Sequence, residues 1–149
     1  PTDEMNNIIN YLNEIGIPFH VLEKREIENY IPDEVIESVA DEKGSEYLRM
    51  YLKLSPQQKD YFDIENGFNR RNHNSLEAEI KELYPNDEKY LVLRNGMGNR
   101  FFSNGTFKSE FPKFFEHPEV NQETLLKRTE HQENKEELKE ILSKISELL

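Results

Sequence analysis

The most informative part of the chain is Ile17-Pro-Phe-His-Val-Leu-Glu-Lys-Arg-Glu-Ile-Glu-Asn-Tyr-Ile-Pro32. It begins with a short β-branched and aromatic run, Ile17 to Leu22, which is typical of a buried strand. If the backbone stays extended beyond Glu23, Glu26 and Glu28 lie on the same side, because side chains along a strand alternate with a period of two. Two carboxylates that close together repel each other unless a divalent cation or a basic side chain neutralises them.

The pattern therefore has two interpretations. In the functional one, Glu26 and Glu28 hold a metal ion at the mouth of an active site. In the structural one, Glu23 to Glu26 is a charged exit from the strand into a solvated loop. Spacing alone leaves both open.

The rest of the chain carries helical patterns. A first helix runs from Met5 to Ile15 and ends at Gly16, which suits the left-handed position after a helix. Ser55-Pro56-Gln57-Gln58 has the form of a capping box, and Asn134 caps a last helix with one apolar stripe. A second strand or a small hairpin is predicted between Arg100 and Lys108. The predicted fold is mainly α with one or two short strands.

Two further helices are predicted from their apolar residues. Pro32 and Asp33 open a helix that carries Val35, Ile36 and Val39 on one face, and the short helix after Ser55 brings aromatic residues toward the interior. The members of these two apolar sets are Val35, Ile36, Val39, Tyr61 and Phe62.

The amino-acid composition argues against several classes of protein. The 149 residues suit one domain, and the nine Phe and seven Tyr argue against disorder. There is no cysteine, no apolar stretch of membrane-spanning length and no signal peptide, so a cytoplasmic location is expected. The formal net charge of −11 disfavours a nucleic-acid-binding surface, because contacts to phosphate need clustered Lys and Arg. The chain alone is therefore not expected to bind DNA tightly.

The string Leu22 to Tyr30, followed by Ile31-Pro32, resembles the Glu-Asn-Tyr element in the Toprim nuclease domain of OLD-family ATP-dependent endonucleases and related defence ATPases. Two downstream segments, Tyr51 to Phe62 and Leu125 to Gln132, also look like the tail of such proteins. The resemblance implies a C-terminal portion of an α/β Toprim-like (Rossmann-like) domain.

The chain departs from that family upstream of the motif. A complete Toprim domain carries an earlier Glu and an Asp-x-Asp strand end, and neither Asp-x-Asp nor a Gly-rich phosphate loop occurs here. We therefore expect a C-terminal fragment of a larger ATPase-Toprim protein. Residues 1–40 would be the Toprim-like helix-strand-motif segment and residues 41–149 a helical extension, with ATP bound only in the missing part and the fragment alone inactive.

The resemblance also implies roles for individual residues. Glu28 would be a ligand of Mg²⁺ or Mn²⁺, and Glu26 would take the place where many relatives carry a Ser or a second acid. Asn29 and Tyr30 would brace the ligand segment, although a plain structural role in a turn competes with this. Lys108 is the candidate for the late basic residue that steadies the phosphate.

Two hypotheses follow for function. The first is part of a metal-dependent Toprim nuclease that hydrolyses DNA through the parent protein, in antiphage defence. The alternative is a non-catalytic helical module for homodimerisation or for docking a partner to the parent ATPase. No membrane partner is expected.

Overall fold

The computed structural model describes residues 3–67, residues 83, 93 and 96, and residues 107–148. These residues form seven α-helices and two 3₁₀ helices. The α-helices are α1 (Asp3–Glu14), α2 (Asp33–Lys43), α3 (Glu46–Leu52), α4 (Pro56–Tyr61), α5 (Phe107–Glu110), α6 (Gln122–Thr129) and α7 (Glu137–Leu148), and the 3₁₀ helices span Ile27–Tyr30 and Phe111–Glu116. The prediction of a mainly helical chain is confirmed for this part of the sequence.

Helix ends follow the local sequence signals. Gln58 donates its backbone N–H to Ser55 Oγ over 3.2 Å, and the Gln58 side chain accepts the Ser55 N–H over 2.9 Å, which closes the predicted capping box of α4. Asn134 Oδ1 accepts the N–H of Glu136 at the start of α7, as predicted. Gly16 has a φ of 67° just after α1, the left-handed conformation that glycine adopts without a steric penalty.

The core lies around α2 and α3. The predicted face of α2, Val35, Ile36 and Val39, is buried, as is Phe62 at the end of α4. Tyr61 remains 37% exposed, so its predicted place in the core is wrong. The buried apolar cluster is Ile31, Val35, Ile36, Val39, Ala40, Leu48, Tyr51, Leu54, Phe62, Ile64, Leu93, Phe111 and Phe114.

The strand predicted from Ile17 to Leu22 does not form, and no strand occurs among the described residues. A strand needs a neighbour to pair with, and the backbone here bonds to other groups. Ile17 donates its N–H to the Leu12 carbonyl at the end of α1, and Glu23 donates its N–H to a side chain of α7. Most of the predicted hairpin lies outside the described residues, and its last two positions begin α5.

None of the residues of helix α1 is buried. Ile8 is 54% exposed and Tyr11 is 60% exposed, although both belong to an apolar stripe at helical spacing. Within the described residues, each helix is too short or too polar for a bilayer span.

Candidate functional site

The Glu-Asn-Tyr segment forms a 3₁₀ helix that is fixed to the body of the protein by Asn29. The Asn29 side chain is fully buried, and its Nδ2 donates to the backbone carbonyls of Lys59 over 2.7 Å and of Phe62 over 2.9 Å. Its Oδ1 accepts the backbone N–H of Glu26 over 2.9 Å. Because all three bonds are to backbone groups, Asn29 holds the main chain at Glu26 in place against the end of α4.

Glu26 lies in this segment as a carboxylate with too little positive charge nearby. Arg25 Nε donates a long hydrogen bond of 3.4 Å to Glu26 Oε1, while the same guanidinium binds Asp63 through Nη2 over 3.0 Å. Burial raises the pKa of Glu26 from 4.5 to about 7, the charges of Asp63 and Glu28 add to the rise, and Arg25 opposes it. Glu26 is therefore half-protonated near neutral pH.

These residues do not make a complete metal site. Among the described residues, no group of three or more His, Asp or Glu side chains is arranged to hold a metal ion. The Arg25 guanidinium bonds to both Glu26 and Asp63 and acts as their counter-ion. Carboxylate oxygens are the donors that Mg²⁺ and Mn²⁺ prefer. The extended backbone expected through Glu28 does not form, because Ile27–Tyr30 is a 3₁₀ helix, so the alternation that would put Glu26 and Glu28 on one side does not hold.

The third predicted site residue is Lys108. Lys108 is described only as part of the helical backbone of α5, Phe107–Glu110. Its role as a phosphate-binding residue stays a prediction.

A second carboxylate, Asp60, lies behind the Glu-Asn-Tyr segment and was not found from the sequence. Its Oδ1 contacts Lys24 Nζ at 2.5 Å and Arg128 Nη1 at 2.9 Å, and its Oδ2 contacts His131 Nε2 at 2.5 Å. Burial and the Arg128 charge lower the pKa of Lys24 to about 8, and Asp60 opposes this fall. Asp60, in α4, thus links Lys24, which precedes the Glu-Asn-Tyr segment, to Arg128 and His131 at the end of α6.

A third carboxylate, Glu137, is fully buried at the start of α7. Its Oε1 accepts from His20 Nε2 over 2.9 Å and from the Glu23 N–H over 2.7 Å, and its Oε2 accepts from the Tyr30 hydroxyl and from Gln132 Nε2. Burial by itself would raise the pKa of Glu137, but the hydrogen bonds from Tyr30, His20 and Glu23 hold it below its ordinary value.

Asp60 and Glu137 could not be recognised in the sequence because their partners are far along the chain. Tyr30 and Glu137 are 107 positions apart, and Asp60 and His131 are 71 apart. A usable signal existed only for Tyr30, since a buried hydroxyl needs a hydrogen-bond partner.

Comparison of the chain with protein-family models, with curated proteins and with solved structures finds no match in any of the three. The likeness to OLD-family Toprim domains therefore rests on the Leu22 to Tyr30 string and on the two downstream segments alone. Function has to be argued from the geometry of the site.

Proposed function

We propose that this chain is the C-terminal part of a metal-dependent Toprim nuclease of an OLD-like ATP-dependent endonuclease. The parent protein would hydrolyse DNA phosphodiester bonds, as part of antiphage defence in the cytoplasm. Residues 1–40 would contribute the Toprim-like segment and residues 41–149 the helical extension. The observation that carries this proposal is the position of Glu26 beside Asp63, where the two acids share the guanidinium of Arg25.

The other acids of the motif region support this choice by contrast. Asp60 and Glu137 have basic or hydrogen-bonding partners on both carboxylate oxygens. Glu26 shares the single guanidinium of Arg25 with Asp63. Acids whose charge is left poorly compensated are frequent in functional sites, where substrate or metal supplies the missing charge.

In the proposed site, Glu26 and Glu28 hold Mg²⁺ or Mn²⁺ together with acids from upstream in the parent. When bound, the ion would activate a water molecule and neutralise charge on the phosphate. Asn29 keeps the main chain of Glu26 in position, and Lys108 would contact the phosphate. ATP would bind only to the rest of the parent.

Calorimetric titration with Mn²⁺ tests the two ligands directly. The variant is Glu26→Gln with Glu28→Gln, because glutamine keeps the size and the hydrogen-bond acceptor while it removes the charge. The matched control is Glu37→Gln with Glu42→Gln, which removes two exposed charges from α2. Saturable binding by the native chain and by the control, with loss in the variant, supports the proposal.

If the native chain, the variant and the control give the same non-saturating heats, Glu26 and Glu28 do not hold the metal by themselves. The second candidate function, a helical docking module, is then favoured.

That second candidate is a helical module for homodimerisation or partner docking, and it is favoured by helix α1. The apolar stripe of α1 has no buried member, and Ile8 is 54% exposed. Sedimentation velocity of the native chain and of Ile8→Ser tests dimerisation. A concentration-dependent dimer that Ile8→Ser abolishes supports this module, whereas a monomer at all concentrations argues against self-association.

A further inference from the structure

Helix α1 has an apolar face that the described residues leave open. The half-buried residues of the helix, Ile9 and Leu12, lie toward the body of the protein. Ile8 is 54% exposed, Tyr11 is 60% exposed and Ile15, directly after the helix, is 46% exposed. These three residues are three and four positions apart, so they lie on one side of the helix. We call them the α1 stripe.

A helix as short as α1 needs a packing partner. It has 12 residues, and none of them is buried. Isolated helices of this length are marginal in water, because most helical stability in proteins comes from the packing of an apolar face. A partner that covers the α1 stripe would therefore stabilise the helix on which it docks.

The charges of α1 indicate the chemistry of that partner. Asp3, Glu4 and Glu14 are its charged residues, and it contains no Lys or Arg. Glu4 lies four positions before Ile8, in line with the α1 stripe. An anionic membrane is a poor partner, because helices that bind such membranes carry Lys or Arg on their polar face. A partner with positive charge beside its apolar residues fits instead.

Lys144 of α7 does not supply this positive charge to the α1 stripe. It lines a groove together with Asn13, which lies about 140° around the helix from Ile8. Its Nζ donates to the Phe19 carbonyl over 3.2 Å. The groove and the α1 stripe are therefore on different sides of α1.

Charge also argues against a second copy of the chain as the occupant. Two parallel α1 helices would bring their two Glu4 carboxylates together, and an antiparallel pair would set each Glu4 against an Ile15. Neither arrangement brings a cation to Glu4, and like charges in contact are destabilising. The formal net charge of −11 on each copy adds to the repulsion.

We propose that the α1 stripe docks an amphipathic helix of another protein, one that carries Lys or Arg beside its apolar residues. The apolar residues of that helix would cover the stripe, and its cations would pair with Glu4 and Glu14. The proposal rests on the second candidate function, the docking module, and names the kind of partner. It does not depend on metal binding at Glu26 and Glu28.

Three synthetic peptides of about 18 residues, five helical turns, test this surface. The first carries a leucine stripe at helical spacing with lysine on both flanks, and the second carries the same stripe with glutamate on both flanks. The third has the composition of the first in an order that forms no stripe. Each is titrated into the ¹⁵N-labelled whole chain. We expect saturable shifts of the α1 amide signals with the first peptide alone, with a Kd of about 100 μM or tighter.

Two variants separate the apolar contribution from the charged one. Ile8→Ser should weaken binding of the lysine peptide about tenfold, because it removes apolar area from the stripe. Glu4→Gln should weaken it about threefold, because it removes one ion pair at the surface. The control is Glu42→Gln, which removes an exposed acid from α2 and should leave the Kd unchanged.

Several results would overturn the proposal. Equal binding of the lysine peptide and of its scrambled form would mean that net charge alone attracts them. Tighter binding of the glutamate peptide, or an equal Kd in Glu4→Gln, Ile8→Ser and Glu42→Gln, would contradict the assigned surface.

Sedimentation velocity distinguishes failure of this proposal from failure of the docking module. A dimer that Ile8→Ser abolishes, with α1 signals that no peptide moves, would assign the stripe to a second copy, so the module would stand and the basic partner would not. A monomer whose α1 signals respond to none of the three peptides would contradict both.

Discussion

Asp60 and Glu137 are buried carboxylates with partners on both oxygens, whereas Glu26 is a partly exposed carboxylate that shares one guanidinium with Asp63. Burial raises the pKa of Glu26 to about 7, but hydrogen bonds keep the pKa of Glu137 below its ordinary value despite its burial. Burial raises the pKa of both acids, but only Glu137 has enough hydrogen-bond donors to reverse the shift.

This comparison separates two uses of an acidic side chain within one short segment. Asp60 and Glu137 hold the Glu-Asn-Tyr segment against α4 and α7, so they contribute to the fold. Glu26 shares one counter-ion, Arg25, with Asp63, so its charge is only partly compensated, and such a charge is a candidate for binding.

The largest effect is expected for Asp60→Asn. Among the described residues, Asp60 is the carboxylate that pairs with both Lys24 and Arg128, so the substitution removes a counter-charge that two buried cations share. We expect the free energy of unfolding to fall by roughly 3–5 kcal/mol. Urea denaturation followed by circular dichroism measures this change.

The control for Asp60 is Asp41→Asn, which breaks an exposed pair with Arg49 at 3.2 Å. That change should stay within about 0.5 kcal/mol. Equal losses in Asp60→Asn and Asp41→Asn would contradict the structural role of Asp60.

Glu137→Gln should come next in size. The amide oxygen can accept from only part of the set that the carboxylate serves, so Tyr30, His20 or Gln132 loses an acceptor. We expect a loss of roughly 2–3 kcal/mol in the same denaturation experiment. The exposed neighbour Glu136 provides the control, because Glu136→Gln affects only a surface pair with Lys139. A urea midpoint for Glu137→Gln equal to that of the native chain would contradict the stabilising role of this network.

Glu26→Gln should act in the opposite direction. The folded chain holds a proton on Glu26 up to a pKa of about 7, while the unfolded chain releases it near 4.5, so the stability contributed by Glu26 falls as the pH rises from 4.5 to 7. Removing the charge should therefore stabilise the protein at about pH 8 by around 1 kcal/mol, after allowance for solvent screening.

The pH dependence of this effect is the decisive part of the measurement. The difference between Glu26→Gln and the native chain should shrink as the pH falls from about 7, and it should level off below 4.5, where the carboxyl is protonated in both the folded and the unfolded chain. Unfolding curves at several pH values, with Glu42→Gln as a control, measure it. A constant difference across the range would show that Glu26 is an ordinary surface acid.

Glu28→Gln should have the smallest effect. Glu28 raises the pKa of Glu26, but less than burial and Asp63 do. The substitution should lower the pKa of Glu26 slightly and change stability by no more than about 0.5 kcal/mol. An NMR titration of the Glu26 carboxyl carbon detects the shift, and no change at all would mean that the two side chains do not interact.

The fold was predictable where the signal is local. The capping box of Ser55 and Gln58 and the glycine after α1 depend on residues within a few positions, and so does the buried face of α2. The strand at Ile17 to Leu22 failed because β-structure depends on a partner strand, which a single apolar run does not specify.

The site was predictable only in part for the same reason. Glu26 and Glu28 stood out because they lie close together in the sequence, but the charges that decide their chemistry, Arg25 and Asp63, are brought together by folding. Asp60 has its partners at Arg128 and His131, and no periodic pattern connects them.

The central claim is that Glu26 lacks compensating charge and that a divalent cation supplies it. The most direct test is the NMR titration of the Glu26 carboxyl carbon with and without Mg²⁺. The account predicts a pKa near 7 without the metal and a clearly lower pKa in its presence, because the bound ion favours the carboxylate. Identical titration curves with and without Mg²⁺ would contradict it.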